Sequence, residues 1–151
     1  MTEQRRRWVR LGLVYLTVTF LQVGLWASFA TRSFYDSFPG LGRRWVSGDG
    51  PYNAHLASDA GVGFIAVGVV LLFAAVWMER RLIQAALVAS LLHSLLHVLF
   101  HLRHPNESLD WLDGVLSNGA LLVGGALAAV LLVVTARTPA GTSTDRSLQQ
   151  S

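Results

Sequence analysis

The sequence predicts an all-α protein, an integral membrane antiparallel four-helix bundle, and three observations carry that expectation. Apolar residues gather into four long blocks rather than at amphipathic spacing, and about 18 or more in a row marks a membrane span. Hydrophobic residues make up 52% of the 151-residue chain and charged ones only 14%, with a mean hydropathy of +0.45. Between the second and third blocks stands only "ERR", a connection so short that the two helices must form a hairpin. A segment crossing lipid has to satisfy its own backbone, which with so few segments leaves the helix as the spanning element.

The first block runs from about Trp8 to Ala30 and follows "RRRWVR". It reads as the first span; the alternative is a signal peptide ending at "SFA" before Thr31, for which its apolar stretch is long. An outer segment of about thirty residues comes next, "TRSFYDSFPGLGRRWVSGDGPYNAHLASD". Pro51 after "GDG" predicts that the second helix starts near residue 51, capped by Asp49 or Gly50, and projects above the membrane. Its apolar part covers about Ala60 to Met78. The third block covers about Leu82 to Leu102 and the fourth about Val115 to Ala136. At about 1.5 Å per residue each crosses about 30 Å of hydrocarbon. Residues 1–137 therefore form one transmembrane domain, and the Ser-, Thr- and Gln-rich tail, 138–151, is expected to be a disordered cytoplasmic extension.

All twelve basic residues are arginines, and their placement sets the orientation. With the N-terminus inside, Arg5, Arg6, Arg7, Arg10, Arg80, Arg81, Arg137 and Arg146 are cytoplasmic, while Arg32, Arg43, Arg44 and Arg103 are outside. That bias predicts a multi-pass protein of the cell inner (plasma) membrane with both termini cytoplasmic. The basic balance reflects this orientation and not a nucleic-acid partner. The expected partner is the lipid bilayer, together with a homo-oligomer or a larger membrane complex. With no cysteine in the chain, disulfides, thiolate metal sites and thiol nucleophiles are excluded.

Four of the five histidines lie in "HSLLHVLFHLRH". At about 100° per residue His93, His97, His101 and His104 fall at relative angles of about 0°, 40°, 80° and 20°, on one stripe. Tyr52, His55 and Asp59 share a face at the start of the second helix. Asp110, Asp113 and Ser117 do the same on the fourth. Counting along the helices puts Asp59 level with His101, and His93 near the midplane. Tyr15, Thr19, Gln22 and Trp26 form a further stripe on the first helix, read as interhelical hydrogen-bond glue, with Gln22 at the depth of His93 and His97. Ala120, Gly124 and Ala128 read as a close-packing edge.

Ionisable side chains inside a bilayer are costly and usually mark function. The expectation is a His/Asp-lined pocket on the extracytoplasmic side that binds a transition metal (Zn, Fe or Cu) or haem b, in redox or metal handling. His55, Asp59, His97 and His101 are the expected metal ligands, since i, i+4 imidazoles with a carboxylate suit such ions. His93, His104, Asp110, Asp113, Tyr52 and Gln22 are expected to orient ligands or relay protons. Haem would need axial imidazoles from two helices, His55 being the only candidate off the third, with Gly61 and Gly63 making room. The outer segment would lid the pocket. No "HExxH" or phosphate-binding glycine loop is present, and no enzyme class follows. The rival expectation is an accessory membrane subunit whose histidines form a structural or proton-relay network without cofactor; a proton-coupled carrier is a third.

At "SFP", "PYNAHLASDAG" and the "HxxxHxxxH" run the chain resembles small four-helix bacterial integral membrane proteins of unassigned function with a "YNxHLxxDxG"-like segment. The resemblance covers about Phe38 through the third helix. It implies that Tyr52, Asn53, His55, Asp59 and Gly61 belong to one motif, and it transfers no mechanism.

Overall fold

The computed structural model describes residues 2–137; the expected tail lies outside them. The described residues are all-helical apart from one minimal strand pair. Its elements are α1 (Glu3–Phe29), α2 (Thr31–Ser37), β1 (Pro39–Gly40), β2 (Arg43–Arg44), α3 (Ala54–Trp77), α4 (Arg80–Arg103) and α5 (Trp111–Ala136). Four of these helices, α1, α3, α4 and α5, are long and apolar enough to cross a membrane.

Helix starts follow capping chemistry. Thr2 accepts a hydrogen bond from the Arg5 backbone, so α1 begins ahead of the apolar block. Asn53 caps α3 through the Leu56 N–H at 3.0 Å. The helix expected to start near Pro51 thus begins three residues later, at Ala54, because the side chain that accepts from its first turn is that of Asn53 and not Asp49. Asp110 caps α5 by accepting from the Asp113 N–H at 2.7 Å. Between α3 and α4, Met78 takes the left-handed conformation (φ 54°) that ends one helix, and the next begins two residues later.

The core cluster joins Val9, Leu13, Leu16 and Phe20 of α1 to Leu71, Ala74 and Ala75 of α3, Ile83, Ala86 and Leu87 of α4, and Ala128 and Leu131 of α5. Small residues let α1 and α3 approach most closely. A Cβ on Gly24 would lie 2.8 Å from the Ile65 backbone nitrogen, and one on Gly68 2.7 Å from Leu21. Gly61 is filled by Ser28 and Gly24 of α1. On α5 the close approach is Gly125 against Ser94. The expected edge of Ala120, Gly124 and Ala128 is thus displaced: Gly124 faces open space, and Ala128 alone of the three is fully buried. The doublet Gly124–Gly125 offers two neighbouring faces, and packing uses the second.

Arginines close the end nearest the Met78 turn. Arg10 donates to the Ala75 carbonyl at 3.2 Å, Arg80 to the Ala136 carbonyl at 2.8 Å, and Arg5 to the Val134 carbonyl. Neither α3 nor α5 has a basic residue in its own last turn. Neighbouring helices supply the positive charge that their C-terminal carbonyls favour.

At the other end the α1–α3 connection folds into a compact cap. Trp26, Phe34, Phe38 and Trp45 stack edge to face in sequence, with centroids 5.9–6.1 Å apart between Trp26–Phe34, Trp26–Phe38 and Phe38–Trp45. The β1–β2 turn runs through Gly40, Leu41 and Gly42, all with positive φ. Arg43 pairs with Asp113, whose Oδ1 also accepts from the Trp45 indole at 2.9 Å. Asn106 donates to the Trp45 carbonyl at 3.1 Å. The cap is thereby tied to the α4–α5 connection.

Candidate functional site

The chemistry-bearing feature is the histidine row of α4. The buried seam of this helix is Ile83, Leu87, Ser90, Ser94 and Val98. His93, His97 and His101 flank that seam, each half-buried, on the side where Phe20 of α1 and Phe64 of α3 approach. His93 meets Phe64 edge-on at 4.4 Å and Phe20 at 5.1 Å. Its Nε2 is buried with no hydrogen-bond partner. His97 and His101 turn their rings together, 24° from parallel, and bring their Nε2 atoms to 3.0 Å. Without an ion, one ring must donate and the other accept.

One carboxylate that feels the charge of this row belongs to the cap. Asp49 lies near enough to His101 and Asn106 for both to favour its charged form. Partial burial outweighs them and holds its carboxyl above the ordinary range, although the residue keeps solvent contact. The "GDG" context marked Asp49 as a turn or cap residue; its role opposite His101 depends on how the loop folds back, which local sequence does not report.

The other expected site residues lie elsewhere. His55 and Asp59 pair with each other at 3.3 Å, on the solvent side of α3, with side chains 88% and 63% exposed. The reason is azimuth: the α3 residue facing the histidines is Phe64, and at about 100° per residue His55 points about 180° away from it and Asp59 about 140°. Their expected convergence on His97 and His101 is not what the fold builds. Asp113 is committed to Arg43 and Trp45. Asp110 is a helix cap. Tyr52 bonds Thr31 at 2.7 Å and packs on Tyr35 and Arg32 within the cap. His104 folds back on the Phe100 carbonyl and ring and is exposed. Gln22 lies on the exposed face of α1, beside Tyr15 and Thr19. Among the described residues no three His, Asp or Glu side chains form a group that would hold a metal ion. Two imidazoles converge; the rest of the expected shell does not.

Two axial imidazoles for haem do not fit either. His55, the one histidine on another helix, points away from the row, and of the two glycines expected to clear space for a porphyrin Gly61 is occupied by α1 while Gly63 faces open space. Comparison with family models, with curated proteins and with solved structures finds no match to this chain.

Proposed function

We propose that this chain is an integral membrane protein of four antiparallel spans that binds a transition-metal ion from the extracytoplasmic side at His97 and His101. Opposed residue pairs support the antiparallel course. Gly24 meets Gly61 and Arg10 reaches Ala75 between α1 and α3, while Ser94 meets Gly125 and Arg80 reaches Ala136 between α4 and α5. The arginine bias supports an inner-membrane orientation with both ends of the described chain cytoplasmic.

The observation that carries the metal reading is the 3.0 Å separation of the two Nε2 atoms. Imidazole nitrogens bind such ions at about 2.0–2.1 Å, so one ion between them would subtend an N–metal–N angle of about 94°. Two convergent donors leave further positions open to water or a substrate. The site is one-sided: below His93 the bundle is filled by Leu87, Ile83, Leu71 and Leu13. That favours binding from outside over passage across the membrane. Zn, Fe and Cu all suit this donor set, and redox or metal handling is the corresponding role.

A second reading rests on the same contact. The two nitrogens satisfy each other as an N–H···N bond within α4, which suits an accessory subunit whose histidines form a structural network without a cofactor. Elemental analysis and absorption spectroscopy of detergent-purified protein, after exposure to Zn, Fe and Cu ions, decide between them. Bound metal near one per chain, lost in a His97→Ala, His101→Ala variant of unchanged melting, supports the site. Protein that takes up none of the three supports the structural network.

A further inference from the structure

The outward face of α1 carries a second pattern. Trp8, Leu11, Tyr15, Val18, Gln22, Leu25 and Phe29 are all exposed, and they recur at steps of three and four residues along the helix. That is a heptad seam sustained for about three repeats, the spacing with which one helix packs along another. It is separate from the inward seam of Val9, Leu13, Leu16, Phe20 and Ala27. Gln22 interrupts it at a core position of the repeat. Among the described residues its amide makes no hydrogen bond, whereas exposed Thr19 is satisfied by the Tyr15 carbonyl at 3.0 Å. Gln22 lies about 10 Å below Phe29 along the axis. In acyl chains it would find no partner, because lipid tails neither donate nor accept.

We infer that this face of α1 is a dimer interface whose occupant is a second copy of this chain, lying parallel so that Gln22 meets Gln22. A carboxamide carries both donors and an acceptor, so it is complementary to itself across a two-fold axis. Two copies inserted in the same orientation place their Gln22 residues at the same depth without adjustment. A single polar residue in an otherwise apolar heptad seam fixes the register and partner number of paired helices. The flanking Val18 and Leu25 pack the seam on either side.

The inference rests on the membrane reading and not on the histidine pair. The chain has no cysteine, so single cysteines report proximity directly. Leu25→Cys keeps Gln22 in place, and Val62→Cys marks an exposed position on α3 as control. In oxidised vesicles Leu25→Cys is expected to form a disulfide-linked dimer while Val62→Cys stays at background. Adding Gln22→Leu to Leu25→Cys should lower the dimerisation constant by roughly 3- to 30-fold, the range of interhelical hydrogen bonds in bilayers, with melting unchanged. Cross-linking no greater than the Val62→Cys control, or a yield indifferent to Gln22→Leu, overturns the interface. Release of the protein from carbonate-washed membranes overturns the spanning reading beneath it.

Discussion

Toward the Met78 turn the long helices enclose a continuous apolar core; toward the α1–α3 connection that core gives way to rings and polar atoms. In the first region Leu13, Leu71, Ile83, Ala86 and Leu87 are fully buried, and arginines from neighbouring helices answer the last carbonyls of α3 and α5. In the second, Ser28 Oγ, His93 Nε2 and Asn118 Oδ1 are buried without partners, and a polar and aromatic cap adds to the close α1–α3 contact at Gly24 and Gly61. The difference separates two jobs along one helix. The first turns of α4 fasten the bundle, and from Ser90 and His93 onward the helix carries groups whose polar demands the fold leaves unmet, as sites built for something other than stability do.

Cutting the fastened half should cost most. Leu87→Ala is expected to destabilise by about 2–5 kcal/mol, as large-to-small changes at fully buried positions do. Leu96→Ala, one face over and 57% exposed, should change unfolding by no more than about 0.5 kcal/mol. Equal losses in a detergent or urea titration would erase the contrast. Next in size is Gly24→Leu. Its new Cβ meets the Ile65 backbone, which cannot rotate away, so about 1–3 kcal/mol is expected; Gly124→Leu, facing open space, should be near neutral.

The upper half should behave in the opposite sense. His93→Leu removes a buried, unpartnered nitrogen from between Phe20 and Phe64, and relief of that desolvation is expected to stabilise by about 1–2 kcal/mol. A stabilised variant with normal metal uptake would make His93 a support to the pair above it. A destabilised one would show that its ring packing outweighs its unmet hydrogen bond.

These contrasts also mark what a linear reading reaches. The number of long apolar helices and the tight turn at Met78 follow from block length and from "ERR", which are local properties. So does the shared stripe of His93, His97 and His101, because one helix fixes those angles. What failed was the relation between helices. Counting residues gives His55 and Asp59 a height but says nothing of rotation, and Gly24, Gly61 and Gly68 turn α3 so that Phe64 faces the row. Gly61 read as empty space is in fact where α1 sits. Asp49 and the α2–β1–β2 cap lay in a segment without periodicity, where tertiary contacts to Asn106 and Asp113 decide the path.

The cap itself is tested through Asp113. Asp113→Ala leaves the Trp45 indole and the Arg43 guanidinium without their shared acceptor. Trypsin should then cleave after Arg43 and Arg44 several-fold faster, with the melting of the helices little changed. Unaltered cleavage would mean that the aromatic stack alone seats the cap.

The smallest effect expected is that of Asp49, and pH gives its sign. Partial burial holds its carboxyl above the ordinary value of 3.8, so the seated cap prefers the neutral acid. Below that ordinary value the group is protonated in both seated and released states and contributes no penalty. As pH rises through the higher seated value, ionisation progressively disfavours seating, and the penalty is complete above it. Asp49→Asn should therefore seat the cap slightly better than the native residue at pH 7.5 and no better at pH 3, read as the rate of trypsin cleavage at pH 7.5 and of pepsin cleavage of the same segment at pH 3. Faster cleavage of Asp49→Asn at pH 7.5 would reverse the balance, making the attraction of Asp49 to His101 the stronger influence. It would also join the cap to the histidine row as one site.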